Sequence, residues 1–397
     1  MRLAEKSKGE TMRLQCDFKT FFAAWRAMLL FVSLAILPVG LQAQAWTWTS
    51  SDIEATGGES PSITVDSESN LHVAYRVVQG GLLKYAFRPA DAPQWFKMVL
   101  DRGNIIFSTG ITIDPSGNPH ICYTPNVLKY ARFDGKKWLS QEVDQGSGLV
   151  GYMCSIRVNP SGNPMISWYM PAGGFRYAIL KEGTWLATGL DGNPNDYAGK
   201  WNSMVLDANS NPQIAYSDFP GGQLRYLKYD GKGWIRTVLH SQNDDPGGAK
   251  GMGASMVLDT QGNPWISYYD EQSLKVIHLV DGKPNKKTVE KLPPFVNWGW
   301  KEFHSDIALD HLGNPHIVFE SLQGLEHAWW DGSKWSLQII LAPSVISFFD
   351  NSMVMDKNDV IYVAYKDPLD GAIKLAEGRP THPVQDNSNS EKTSPTP

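Results

Sequence analysis

The chain has 397 residues, a formal net charge of −5, 42% hydrophobic and 19% charged residues, and 3 cysteines. That hydrophobic content excludes disorder over most of the length, three cysteines exclude a disulfide-dense or Cys-rich zinc scaffold, and the acidic balance argues against a nucleic-acid groove. Fifteen tryptophans are unusually many and call for a structural use.

Residues 27–41, AMLLFVSLAILPVGL, form an uncharged apolar run. Arg13, Lys19 and Arg26 precede it and Ala43-Gln44-Ala45 follows it, the order of a secretory signal peptide with an A-x-A cleavage site. The run is shorter than the roughly 20 apolar residues of a bilayer span and contains Pro38. A cleaved leader over residues 1–45 is therefore expected, with Met12 an alternative start and no Cys placed for a lipid anchor. This segment holds six Lys/Arg and three Asp/Glu, so its removal takes the charge from −5 to −8. Such a mature chain is not suited to holding anionic polymers by charge alone. It is expected to be secreted or periplasmic, monomeric and without a membrane span. Cys122 and Cys154 remain; pairing is open to them in an oxidising compartment, but two apolar-flanked cysteines read more simply as buried thiols.

Beyond residue 45 one unit recurs seven times. Its anchors are Asp66, Asp114, Asn159, Asp207, Asp259, Asp310 and Asp356, spaced by 48, 45, 48, 52, 51 and 46 residues. Nine positions after each stands an aromatic residue: Tyr75, Tyr123, Trp168, Tyr216, Tyr268, Phe319 and Tyr365. Four positions after, six copies have Asn, and in five of them Pro follows (Pro119, Pro164, Pro212, Pro264, Pro315). A period of 40 to 50 residues means a repeat architecture. Each copy predicts four short strands. Strand a, of the S-x-V-x-D type, leads into a D-x-x-G-N turn whose Gly and Asn tolerate positive φ. Pro then opens strand b, strand c follows (128–131, 224–226), and a D-G-x-x-W turn at Asp134, Asp230 and Asp331 leads into strand d.

A four-stranded sheet apolar on both faces must be sandwiched, which a ring of blades or a linear solenoid would do. The chain ends favour the ring. Copy seven stops near Gly378 after three strands, while residues 46–57 form an orphan strand d. One strand plus three then closes an all-β, seven-bladed β-propeller over residues 46–378, leaving a polar, Pro-rich, disordered tail at 379–397.

The D-x-x-G-N turn before an apolar strand is similar to the NHL-type propeller repeat, and D-G-x-x-W looks like a relative of the Asp-box turn of sialidase-like propellers. Residues 46–378 thus resemble secreted bacterial β-propeller repeat proteins of this broad class. The resemblance implies fold and export. It carries no catalytic site, because the F/Y-R-I-P motif is absent and the S-x-D-x-G-x-x-W pattern is not met at Asp134, Asp230 or Asp331.

Trp138, Trp185, Trp234 and Trp335 share one slot and are expected to pack blade on blade, with Trp46 or Trp48 doing so for the closing blade. His72, His120 and His316 share another, but Met165, Gln213, Trp265 and Tyr362 also occupy it, so it reads as packing rather than a metal ring. The anchor acids lack calcium-loop spacing and read as turn caps. No cofactor is expected.

Function is expected where the repeat breaks. The loops entering copies four, five and six (191–201, 240–254, 293–304) are the longest. They carry Tyr197, Lys200, Trp201, Lys250, Trp298, Trp300, Lys301, Glu302 and His304, and the b–c turns add Asp218, Asp270, Glu320 and Asp367. Aromatic faces beside polar groups suit a sugar. The expected function is a binding module for a glycan or envelope component. The alternatives are a sialidase-like glycoside hydrolase or polysaccharide lyase using Asp270, Glu302, Glu320 or His304, and a protein-interaction scaffold. Asp218, Asp270 and Asp367 share a slot, which favours turn capping.

Overall fold

A computed structural model describes residues 46–103, 108–144, 152–171, 173–192, 198–218, 221–244, 250–270, 273–292, 304–342 and 350–381. The leader expected at 1–45 and the tail beyond 381 lie outside these. The described residues form seven four-stranded antiparallel sheets and no helix. Six sheets use four consecutive strands, a to d. The seventh takes its outer strand, Trp46–Glu54, from the start of the chain and pairs it with the last strand, Ile373–Pro380. The protein is therefore a seven-bladed β-propeller closed by one strand plus three, and the closing strand runs two residues past Gly378.

The local chemistry of each unit follows from its turns. The anchor carboxylate caps the a–b hairpin: Asp66 Oδ1 accepts from the backbone of Glu68 and Asn70, both at 2.9 Å, and Asp114, Asp207, Asp259 and Asp310 do the same. Three positions after the anchor every copy is left-handed, at Ser69, Gly117, Gly162, Ser210, Gly262, Gly313 and Asp359. Four copies use Gly there because it lacks the Cβ that makes this conformation costly. Strand b begins at Pro in five blades and is buried over nearly its whole length, being covered on both faces.

Strand a is innermost, and these strands meet in cyclic order around a central channel. Two side chains of strand a tie each blade to the next. Four positions before the anchor a hydroxyl accepts from a backbone N–H of the following strand a. Ser62 receives Ile111, Ser155 receives Met204, Ser203 receives Met256, Ser255 receives Ile307 and Ser352 receives Ile63, at 3.1 to 3.4 Å. Asp306 takes the same role for Met353 at 2.7 Å. Blade 2 has Gly110 in this slot, where a Cβ would lie 2.8 Å from the Cys122 sulfur and 2.9 Å from the Cys154 carbonyl oxygen.

Five positions before the anchor a second side chain reaches back to strand b of the preceding blade. Thr109 donates to the Ala74 carbonyl, Ser167 donates to Asn202, and Ser267 meets Ser305. Between blades 2 and 3 these two slots hold Cys122 and Cys154, and they form a disulfide. The buried-thiol expectation is thus corrected. The cysteines lie 32 residues apart, but the ring places them where other blades make a polar contact. Covalent linkage replaces the hydroxyl tie that Gly110 lacks.

The tryptophans of strand d pack as expected. Trp138 meets Tyr85, Trp185 meets Tyr130 and Trp234 meets Tyr177 of the preceding blade, edge to face at 5.0 to 5.3 Å. In the closing blade Trp48 occupies this slot, against His327. Trp46 adds edge contacts to His316 and His327, and its backbone exchanges two hydrogen bonds with Gln338. The shared histidine slot is a buried strut. His72 and His120 each join a strand c tyrosine to the anchor acid, and burial lowers their pKa so that they stay neutral.

Two outcomes follow. Replacing Cys122 and Cys154 together by Ala should lower stability by about 3 kcal/mol, read by denaturant titration of oxidised protein. Deleting residues 46–54 uncovers the edge of the last strand and His327; the product should be aggregated in size-exclusion chromatography, whereas a monodisperse fold would show that closure is dispensable.

Candidate functional site at the channel mouth

The channel encloses about 270 Å³ and opens where the strands a begin. Six positions before each anchor stand Ser60, Ser108, Met153, Trp201, Gly253, His304 and Asp350, and all seven line it. Five of them are left-handed: Ser60, Met153, Trp201, Gly253 and Asp350, with φ between 43 and 58°. Ladder register slips beside this slot in blades 1, 3, 4 and 5. Positive φ at Met and Trp is costly, and such conformations concentrate at functional sites where the surroundings enforce them. The enforcing bonds are present. Asn202 Nδ2 donates to the Met153 carbonyl at 2.5 Å and Ser305 Oγ to that of Gly253 at 2.7 Å, while the Ser60 N–H donates to Asp350 Oδ2 at 2.6 Å. The bulges turn Ser60, Met153 and Trp201 onto one rim, and Gly253 leaves it open beside them.

The acidic side of the rim is built on blades 6 and 7. His304 Nε2 lies 3.8 Å from Asp350 Oδ1. Beneath them Glu320 is buried on strand b, and its Oε1 accepts from the Asp350 N–H at 2.9 Å and from Asn351 Nδ2 at 3.3 Å. Burial, with the Asp350 charge adding to it, raises the Glu320 carboxyl to about 7 against the pull of His304. Tyr269 braces this corner, bonding the His304 carbonyl at 3.2 Å and the Glu320 backbone at 2.9 Å. Deeper in the channel Arg157 donates to the Ile156 carbonyl, and Asp306 lies close enough to feel the guanidinium. Burial raises the Asp306 carboxyl and disfavours the Arg157 charge.

The expected site residues divide clearly. Trp201, His304 and Glu320 come together at the mouth. Lys200 sits beside them, its ammonium over the rings of Tyr169 and Trp201. Trp201 itself is only 8% exposed and offers the channel a small part of its ring. Lys250 is not an accessible contact: it is 2% exposed and its carbonyl accepts from Ser217. Asp218 and Asp270 are buried and paired, Asp218 with Arg225 and Asp270 with Lys275 at 2.7 Å and Ser273 at 2.8 Å. Asp367 caps its turn at Leu369 and holds Lys374, so the shared slot is the structural cap expected. Tyr197, Trp298, Trp300, Lys301 and Glu302 lie outside the described residues. Met153, Arg157, Asn202, Asp306 and Asp350 were missed. Counting back six from each anchor would have exposed the odd slot, six residue types in seven copies ahead of a regular S-x-V-x-D.

No protein-family model matches the chain, and no curated protein matches it in sequence. Its fold is similar to solved structures. An inactive variant of virginiamycin B lyase from Staphylococcus aureus, with quinupristin, has a TM-score of 0.61 at 10% identity, covering 84% of this chain and 99% of that one. An ulvan lyase, a polysaccharide lyase bound to a saccharide of GlcA and Rha3S, gives 0.61 at 12% identity, with 82% and 94% covered. The lectin of Aleuria aurantia in complex with Fucα1-6GlcNAc gives 0.50 at 13%, with 73% and 99% covered. At these identities the likeness is one of fold, and this chain is similar to all three as a β-propeller.

Proposed function

We propose that the protein is an exported carbohydrate-binding module whose ligand sits on the channel mouth. One observation carries this: a single register slot, left-handed in five blades, places six residue types from seven blades (Ser60, Ser108, Met153, Trp201, Gly253, His304 and Asp350) around one concave opening. A rim kept only for packing would repeat one residue type, as the hydroxyl slot two positions later nearly does. The mouth combines hydroxyls, a carboxylate, an imidazole and an aromatic edge, which suits a ligand with many hydroxyls and apolar C–H faces. Lectin-type and saccharide-cleaving propellers among its structural likenesses are consistent with this. Secretion or placement in the periplasm belongs to the same proposal, resting on the leader. Among the described residues no helix is long and apolar enough to cross a membrane.

A second reading, cleavage of a bound polysaccharide, is favoured by the close set of His304, Asp350 and Glu320. A neutral Glu320 can give a proton, and the His304 imidazole is a second group able to exchange one on the same corner. Asp270 no longer belongs to this reading, since its carboxylate is engaged by Lys275 and Ser273.

Glycan-array binding followed by calorimetry tests the first reading. Trp201→Ala and His304→Ala should each weaken binding about tenfold or more, with Phe96→Ala on the exposed outer strand unchanged. Absence of binding to any saccharide would remove it, and release of new reducing ends that His304→Ala abolishes would establish the second. The pH dependence has a definite sign. Glu320 is neutral below about 7 and ionises above it beside Asp350. Affinity for an acidic saccharide should fall as pH rises through that value, and Glu320→Gln should flatten the fall.

A further inference from the structure

The outer joints between blades also repeat, and at one of them the partner of the shared acid is reversed in charge. In every blade strand d carries one extra residue: Ile53, Leu100, Val143, Leu190, Leu239, Val289 and Ile340 stand unpaired in the ladder. The bulge turns the next residue toward the following blade. There it meets the aromatic residue of strand b and its cross-strand neighbour on strand c. Glu54 accepts from Tyr75 at 2.8 Å and Lys84 at 2.7 Å, and Asp101 from Tyr123 at 2.8 Å and Lys129 at 3.0 Å. Asp191 accepts from Tyr216 at 2.6 Å and Arg225 at 2.7 Å, while Asp144 pairs with Arg176 at 3.1 Å. Between blades 4 and 5 the acid is replaced by His240, bonded to Tyr268, and between blades 6 and 7 by Leu341.

Between blades 5 and 6 the acid is present, as Glu290, but both of its usual partners are gone. The tyrosine is Phe319 and the cation is Glu326, paired across strands as Tyr75 and Lys84 are. Glu326 is 3% exposed and accepts from Ser321 alone among the described residues, and no described residue donates to Glu290 Oε2. Lys275 is turned to Asp270, at 2.7 Å. Among the described residues, Tyr269 on strand b of blade 5 feels both carboxyls, and Glu320 stands one residue beyond Phe319; neither is cationic. Lys291, the next residue on Glu290's own strand, stands on the adjoining rung opposite Ser273 and is exposed.

We propose that Glu290 and Glu326 form a proton-holding joint, in which a proton kept on the pair closes blade 5 onto blade 6 and its loss drives the two apart. Burial and the facing Glu326 charge raise Glu290 to about 7, and burial raises Glu326 as well. The sign follows: a carboxyl held above its unfolded value of 4.5 stabilises the fold below that value, and the benefit is lost as pH rises through about 7. The joint is not remote from the channel mouth. Tyr269, packed in the same core as Phe319, holds both His304 and Glu320 by their backbones. Deprotonation therefore loosens the wall that carries the acidic corner. The device is one of stability and stands apart from the carbohydrate reading.

Thermal unfolding of the full mature chain across about pH 5.5 to about pH 8.5 tests it. Wild type should lose a few degrees more over this range than Glu290→Gln or Glu326→Gln, each of which abolishes the like-charge pair. Glu326→Lys, which restores the cation of the other joints, should raise Tm at the alkaline end. Glu320 titrates in all four proteins and cancels in the comparison. Parallel Tm profiles for wild type and the Gln variants would overturn the proposal. Hydrogen exchange of unmodified protein gives a reading that needs no variant. Protection of 283–291 and 324–330 should drop at the alkaline end relative to 96–102 and 128–133, after correction for intrinsic rate. Equal protection would overturn it equally.

Discussion

A blade is a thin sheet that cannot cover its own two faces, so the constraint behind everything else is that seven such sheets must each be tied to the next without a gap. The tie nearest the axis is a side-chain oxygen of one strand a receiving the N–H of its neighbour, at six of the seven joints. It satisfies a backbone donor on the channel side, where no further strand exists to accept it. Where Gly110 removes that oxygen, a disulfide spans the same joint through the adjacent slot. The ring is held by equivalent positions with interchangeable chemistry.

Once the inner ring is tied, the strands a start in a fixed circle, and the residue two positions before the tie has no freedom to move away from the axis. This is how a left-handed Trp201 or Met153 is tolerated: packing and the Asn202 bonds over-determine it. The rim is thus rigid and chemically varied at once, the combination a recognition site needs. Its acidic corner is also where blade 6 meets blades 5 and 7, so the braces through Tyr269 make the site sensitive to the joint between blades 5 and 6.

Departures from the repeat separate packing from function. The histidine strut, the turn-capping acids and the strand d tryptophans vary within a packing or capping role that most copies still perform. Gln213 and Tyr362 replace His72 and still bond in the same place. At the mouth and at Glu290–Glu326 the replacement changes the role itself, from one shared contact to unlike groups or from attraction to repulsion. Asp218 and Asp270 belong to the first kind, which is why they fall out of the candidate site.

Periodicity by itself determined the architecture: the anchors, the aromatic nine positions on, the Pro that opens strand b, and the unpaired strand at each end are local or counting properties, and each transfers directly to a sheet. The slot that packs tryptophan and the slot that packs histidine were legible for the same reason. What the chain order could not reveal was which slots face one another across a joint, because those partners lie in different copies and meet only after closure. Cys122 with Cys154, Asp350 with His304 and Glu320, and Glu290 with Glu326 are all of that kind. Their chemistry is set by distances between blades and by the low dielectric of the joint, and only the closed ring decides either.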